Sequence, residues 1–160
     1  MSEAYTKLIQ LLDNHQARYR IIDHPPEGRT EIVSQLRGHG EEQAAKCIVL
    51  MVKLGKKVTK YVLGVVPGDA RIDFNAVKSL MNGTYVSFAS PKIAERLTGC
   101  VSGTILPISF NLELELIVDP SVFGYDEIYF NAGRLDRSLV LKTTDYAWLS
   151  KPRIERIVQT

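Results

Sequence analysis

The 160-residue chain is 45% hydrophobic and 24% charged, ordinary values for one globular domain that can bury a core without disulfides or a structural metal, so residues 1–160 read as a single domain. A net charge of +2 permits contact with a polyanion but falls short of the excess carried by a strongly basic binder. Cys47 and Cys100 lack CxxC spacing, no apolar run reaches membrane length, and the N-terminus shows no signal-peptide core. These features exclude a disulfide scaffold and a membrane span, and predict a reduced, cytoplasmic protein.

Tyr5, Leu8, Ile9 and Leu12 fall at i, i+3, i+4 and i+7, which predicts an opening helix with one apolar stripe. A short strand over Arg18 to Asp23 stops at His24-Pro25-Pro26, because the residue before a proline is driven out of helical geometry. Thr30 is placed to cap a second helix over Glu31 to Leu36, ended by Gly38-His39-Gly40.

The centre of the chain is a predicted hairpin, Lys46 to Leu54 and Lys57 to Val66, turning at Gly55. Ile48 to Val52 are five consecutive apolar residues, so both faces of this strand should be dry. Lys46, joined directly to it, either snorkels its ammonium to water or holds it in a pocket where a charge is wanted. Lysines 53, 56, 57 and 60 gather at the hairpin tip and read as a solvated turn, with nucleic-acid contact as the alternative.

Asp73 caps the next helix, with Ile72 and Val77 at staple positions. Tyr85 to Phe88 is a strand, and Ser90-Pro91 opens a helix closed by Thr98-Gly99. Strands are then expected over Gly103 to Ile108, Leu112 to Val118, Glu127 to Asn131 and Ser138 to Lys142, before Thr143 or Thr144 caps a last helix whose Tyr146, Trp148 and Leu149 lid the core. The irregular order gives an α+β class: a mixed, largely antiparallel sheet curled toward a partial barrel and surrounded by helices.

Motifs for phosphate loops, dinucleotide binding and serine hydrolysis are absent, and His15, His24 and His39 have no metal-ligand spacing, so neither metal nor cofactor is called for. Cys47 with His24 as a thiol and base is disfavoured, since an apolar strand raises a thiol pKa. There remain Lys46 and the segment Gly99 to Pro107, whose small residues and glycines let backbone N–H groups approach a ligand; an ordinary strand-entry turn reads equally well.

Ala45-Lys46-Cys47-Ile48-Val49-Leu50, Gly103 with Pro107 four residues on, and Asn131-Ala132-Gly133-Arg134 followed by Ser138-Leu139-Val140-Leu141 resemble the YbaK/aminoacyl-tRNA-synthetase-associated family across roughly residues 5–148. That family includes the editing insertion of bacterial prolyl-tRNA synthetase and free-standing trans-editing relatives. The resemblance implies a deacylase that hydrolyses the ester between a small wrong amino acid and the tRNA 3′ adenosine. Lys46 and Gly103 would be the catalytic residues, Lys46 orienting the terminal nucleotide. Ile48, Leu50, Ser102, Thr104, Pro107 and Gly133 would shape the substrate pocket. Basic residues meet phosphates at an RNA end, and Arg29, Arg37, Arg134 and Arg137 are the candidates for tRNA contact. The implied partners are a mischarged tRNA and a synthetase. The sequence lacks the histidine that the insertion carries near its late glycine loop, which leaves alanine, serine and threonine esters open. A non-catalytic module using the same pocket for an aminoacyl or nucleotide ligand is the alternative.

Overall fold

In the computed structural model, which describes residues 3–160, the elements run α1 (Glu3–Asn14), β1 (Tyr19–Asp23), α2 (Thr30–Arg37), β2 (Ala45–Leu54), β3 (Val58–Pro67), α3 (Phe74–Leu80), β4 (Tyr85–Phe88), α4 (Pro91–Thr98), β5 (Leu114–Val118), β6 (Glu127–Asn131), β7 (Arg137–Lys142), α5 (Thr143–Ser150) and β8 (Arg153–Ile154). The class is α+β, as the sequence predicts, and the strands form two sheets that do not close into a barrel. One is antiparallel, in the order β1-β7-β6; the other has five strands, β4-β2-β3-β5-β8. Within the larger sheet β2 pairs antiparallel with β3 and β4, whereas β5 runs parallel to both β3 and β8.

The larger sheet is buried on both faces, which accounts for the unbroken apolar run of β2. Val49, Leu63, Val65, Leu116 and Val118 join Ile128, Phe130, Leu139 and Leu141 of the smaller sheet in one core, where Leu8 and Leu12 of α1 are fully buried. Burying each leucine contributes about 2 kcal/mol. On the other face Leu50, Val52, Val62 and Ile117 pack with Val77, Met81 and Ile157 in a second core. Asp73 caps α3 by accepting from Ala76 N at 3.1 Å, and the staple partners Ile72 and Val77 are both in that second core. Ser90 caps α4 in the same way, and Gly99 ends it at φ +71°.

Several expectations require correction. Residues 103–108 form no strand: Gly103 takes φ +86°, Thr104 folds back to bond Val101 O through both N and Oγ1, and buried Pro107 has no N–H for a ladder. The segment is therefore an irregular loop. Its end is fixed by fully buried Tyr146, whose hydroxyl donates to Pro107 O at 2.6 Å. Thr30 is not a cap, since Arg29 holds the N-cap position of α2 and makes no side-chain capping bond. Nor does Thr143 cap α5, because its hydroxyl donates to Tyr125 O at 2.8 Å and Asp126 O at 3.1 Å. Trp148 is no lid either: it stands 64% exposed, edge-on to His15.

Candidate active site

Where α2, the start of β2, the 103–108 loop and the end of β6 meet, they enclose a cleft of about 170 Å³. Lys46, the second residue of β2, enters it beside Cys47, and Gly103 forms part of the opposite rim. The lysine is half-buried, and its Nζ donates to Ala70 O, outside the residues that line the cleft. Burial lowers its pKa, Arg71 lowers it further, and Asp69, Glu41 and Glu31 oppose them.

Gly103 meets Gly28 backbone to backbone. A Cβ on Gly103 would stand 2.7 Å from Gly28 Cα, so Gly103 has no room for a side chain, and one on Gly28 would stand 3.1 Å from Gly103 Cα, where its neighbours must give by a few tenths of an ångström. The Gly103 carbonyl is already taken by Asn131 Nδ2 at 2.9 Å, while its N–H has no acceptor among the described residues. The rim therefore offers a donor to a ligand oxygen.

Asn131 links both walls. Its Nδ2 donates to Glu27 O at 2.8 Å as well as to Gly103 O, and its Oδ1 accepts from Ser138 Oγ at 2.9 Å. With both amide hydrogens committed to carbonyls, the side chain has one orientation only. Ser138, fully buried in β7, also accepts from Arg37 Nη1 at 3.1 Å and contacts His24 Nε2 at 2.6 Å.

Arg37, the last residue of α2, is only 9% exposed and lines the cleft. Its Nε donates to His39 Nε2 at 2.9 Å, and the other nitrogen of that ring contacts Gly40 O at 2.7 Å. His39 stacks on Tyr129 with centroids 3.8 Å apart, which fixes its plane. Burial pushes the Arg37 pKa down to about 10, partly countered by Tyr129, so the guanidinium is charged at neutral pH.

The structure thus brings together Lys46, Gly103 and Arg37 and separates the other predicted residues from them. The cleft stops at Cys47: Leu50 is fully buried in the second core and Ile48 packs against it. Pro107 faces the core and holds Tyr146. Thr104 and Gly133 line an adjoining hollow of about 650 Å³ rather than the cleft, and Ser102 is exposed on the loop. Arg29, Arg134 and Arg137 lie outside as well, each paired with a carboxylate: Glu27 at 3.0 Å, Asp136 at 2.9 Å and Asp23 at 2.7 Å.

Gly28 and His39 are not singled out as site residues by the sequence, and Asn131 and Ser138 only as part of a pattern. A signal existed for two of them: Asn131 and Ser138 are polar residues inside otherwise apolar strand segments, and a polar group so placed must be hydrogen-bonded. Against a thiol nucleophile, burial pushes the Cys47 pKa far up, and His24 does not line the cleft.

Comparison with known proteins bears directly on this geometry. Residues 24–149, which contain every residue of the cleft, match the aminoacyl-tRNA editing domain family. The chain belongs to this family. Its reaction class is the hydrolysis of an amino acid's ester to tRNA. A multifunctional Ser/Thr-tRNA deacylase, ProXp-y of Escherichia coli strain K12, is 40% identical over 160 residues, spanning 99% of this chain and 95% of that protein. Two crystal structures share the fold of this editing domain. Hypothetical protein APE2540 superposes with a TM-score of 0.85 at 19% identity, covering 96% of this chain and 99% of its own. A proposed trans-editing enzyme for prolyl tRNA synthetase gives 0.81 at 20% identity, covering 100% and 99%. No helix among the described residues is long and apolar enough to cross a membrane.

Proposed function

We propose that this editing domain removes serine, threonine or another small amino acid from mischarged tRNA in trans, with the scissile ester held between Lys46 and the Gly103 rim. The observation that carries the reading is that these two residues, 57 positions apart in sequence by their numbers, face one cleft. An aminoacyl ester is already an activated acyl group, so the protein need supply no nucleophile. A water, oriented by the neighbouring ribose hydroxyl, adds to the carbonyl carbon, the C–O bond to the ribose breaks and its oxygen departs with the water's proton, and the Gly103 N–H meets the developing oxyanion. One such donor lowers a barrier by about 3 kcal/mol. Lys46 acts by position and charge, orienting the terminal nucleotide at its ester.

The need for such an enzyme is physical, because a synthetase pocket separates substrates differing by one methylene by only about 1 to 3 kcal/mol. The cleft walls Val33, Ala44, Ala45 and Phe130 are apolar and enclose a small volume, which favours a short side chain. Serine and threonine lead because the 40% identical relative is named for them. Thr104 and Gly133 serve this site indirectly, by setting the course of the loops at its edge. Arg29, Arg134 and Arg137 are outer contacts to the tRNA, each weakened by the acid it already carries. A prolyl-tRNA synthetase is the partner to test first, since a protein of the same fold is described as editing for one.

The test is a panel of tRNAs charged with alanine, serine, threonine and cysteine. Wild-type protein should release serine or threonine fastest, and Lys46→Ala should slow release by about a hundredfold or more at an unchanged melting temperature. Tight binding of the panel without hydrolysis of any member would make the protein a non-catalytic module instead.

A further inference from the structure

The cleft holds two cations, Lys46 and Arg37, and no carboxylate among its lining residues. Arg37 is the more unusual of the two. Among the described residues it forms no ion pair, and its protein acceptors are neutral: the His39 ring and the Ser138 hydroxyl. A guanidinium has five N–H groups. Those not bound by His39 and Ser138 have no acceptor among the described residues, although the side chain is nine-tenths buried. A buried cation is tolerated when an anion answers it. No carboxylate of the cleft does so, and the stacked His39 together with Ser138 keeps the guanidinium from swinging out to solvent.

We propose that Arg37 is a built-in phosphate receptor, taking the 5′-phosphate of the terminal nucleoside through its unused N–H groups while Lys46 attends the ester. A planar fork of donors matches two phosphate oxygens at once, which an ammonium cannot do. This role differs in kind from that of Arg29, Arg134 and Arg137, whose charges are answered by the protein. The inference rests on the cleft being the aminoacyl site, but its phosphate arm can be read without any deacylation.

The experiment compares binding of 5′-AMP and adenosine to the purified protein by calorimetry, at low salt, for wild type, Arg37→Gln and Arg37→Lys. Wild type should prefer AMP by about tenfold or more, Arg37→Gln should erase the preference, and Arg37→Lys should keep part of it. In parallel, Arg37→Gln should raise KM for mischarged tRNA about tenfold with kcat within about twofold. Equal affinity for AMP and adenosine in the wild type, failure of AMP to bind at millimolar concentration, or a preference that survives Arg37→Gln overturns the proposal. Displacement of AMP by free serine in an Arg37-dependent manner would overturn it too, by assigning the arginine to the released carboxylate. If wild type prefers AMP through Arg37 yet hydrolyses no member of the tRNA panel, the phosphate site stands and the deacylase reading falls.

Discussion

Two buried charges on this fold have opposite fates. Asp119, 2% exposed between β5 and the turn that follows, accepts from Ser121 N at 2.9 Å, Ser121 Oγ at 2.6 Å, Ile157 N at 2.8 Å and Val158 N at 3.2 Å. Arg37, 9% exposed, has neutral partners at only two of its N–H positions. The protein has used up the bonding capacity of the aspartate and left that of the arginine open, on the wall of a cleft. A charge whose bonds are complete fastens the chain, in this instance the C-terminal segment to the larger sheet; one left incomplete is an invitation to a ligand.

The largest effect that sharpens this contrast is at the rim. Gly103→Ala must abandon φ +86° and push its Cβ into Gly28. Deacylation should fall by about a hundredfold with a stability loss of about 1 to 3 kcal/mol, measured by single-turnover release and urea unfolding. Wild-type rates in this variant would remove the rim from the chemistry.

Asp119→Asn comes next and should do the reverse, lowering stability by about 2 kcal/mol while sparing kcat, because it turns an acceptor of backbone N–H groups into a partial donor. Burial pushes the Asp119 pKa up, yet the bonds from Ser121, Ile157 and Val158 outweigh it and hold the carboxyl below its ordinary value. The group is depressed in the folded state, so its stabilisation is present above the unfolded value near 4 and is lost as pH falls through the lower folded value. Urea midpoints followed from pH 7 to pH 3 should therefore decline in the wild type more steeply than in Asp119→Asn. Parallel declines would mean that the closed network is not what this aspartate contributes.

Asn131→Ala should give an intermediate result. It frees the carbonyls of Glu27 and Gly103 together, so kcat should drop about tenfold and hydrogen exchange should quicken at both loops. Unchanged exchange there would show that Asn131 is not the tie between the two walls. The smallest effect belongs to Arg29→Ala at the opposite end of α2 from Arg37. Its charge is exposed and paired with Glu27, so deacylation should change by less than about twofold, and a large loss would break the distinction between answered and unanswered arginines.

Much of this was legible in the chain. The stripe of α1, the Asp73 and Ser90 caps, the glycine that ends α4, the hairpin of β2 and β3 and the α+β class follow from local spacing, since 3.6-residue and 2-residue periods and cap chemistry act within a few positions. Lys46 and the Gly-x-x-x-Pro loop stand out by residue type, but only the family resemblance gives them a role in chemistry. Errors cluster where the decision is not local. The 103–108 segment has strand-like composition, yet one positive φ and a buried proline made it a loop. Leu50 reads as a pocket residue until the second core claims it.

What the sequence determined by itself is that β2 is dry on both faces, that a lysine stands at its entrance and that a glycine-bearing loop follows later. Only the tertiary structure decided that α2 turns its last arginine inward, that Gly28 and Gly103 touch, and that Asn131 binds both walls. The reason is that pairing and burial join residues some thirty to a hundred positions apart, where no periodicity carries information. Whether a charge is answered depends on which neighbours the fold delivers to it.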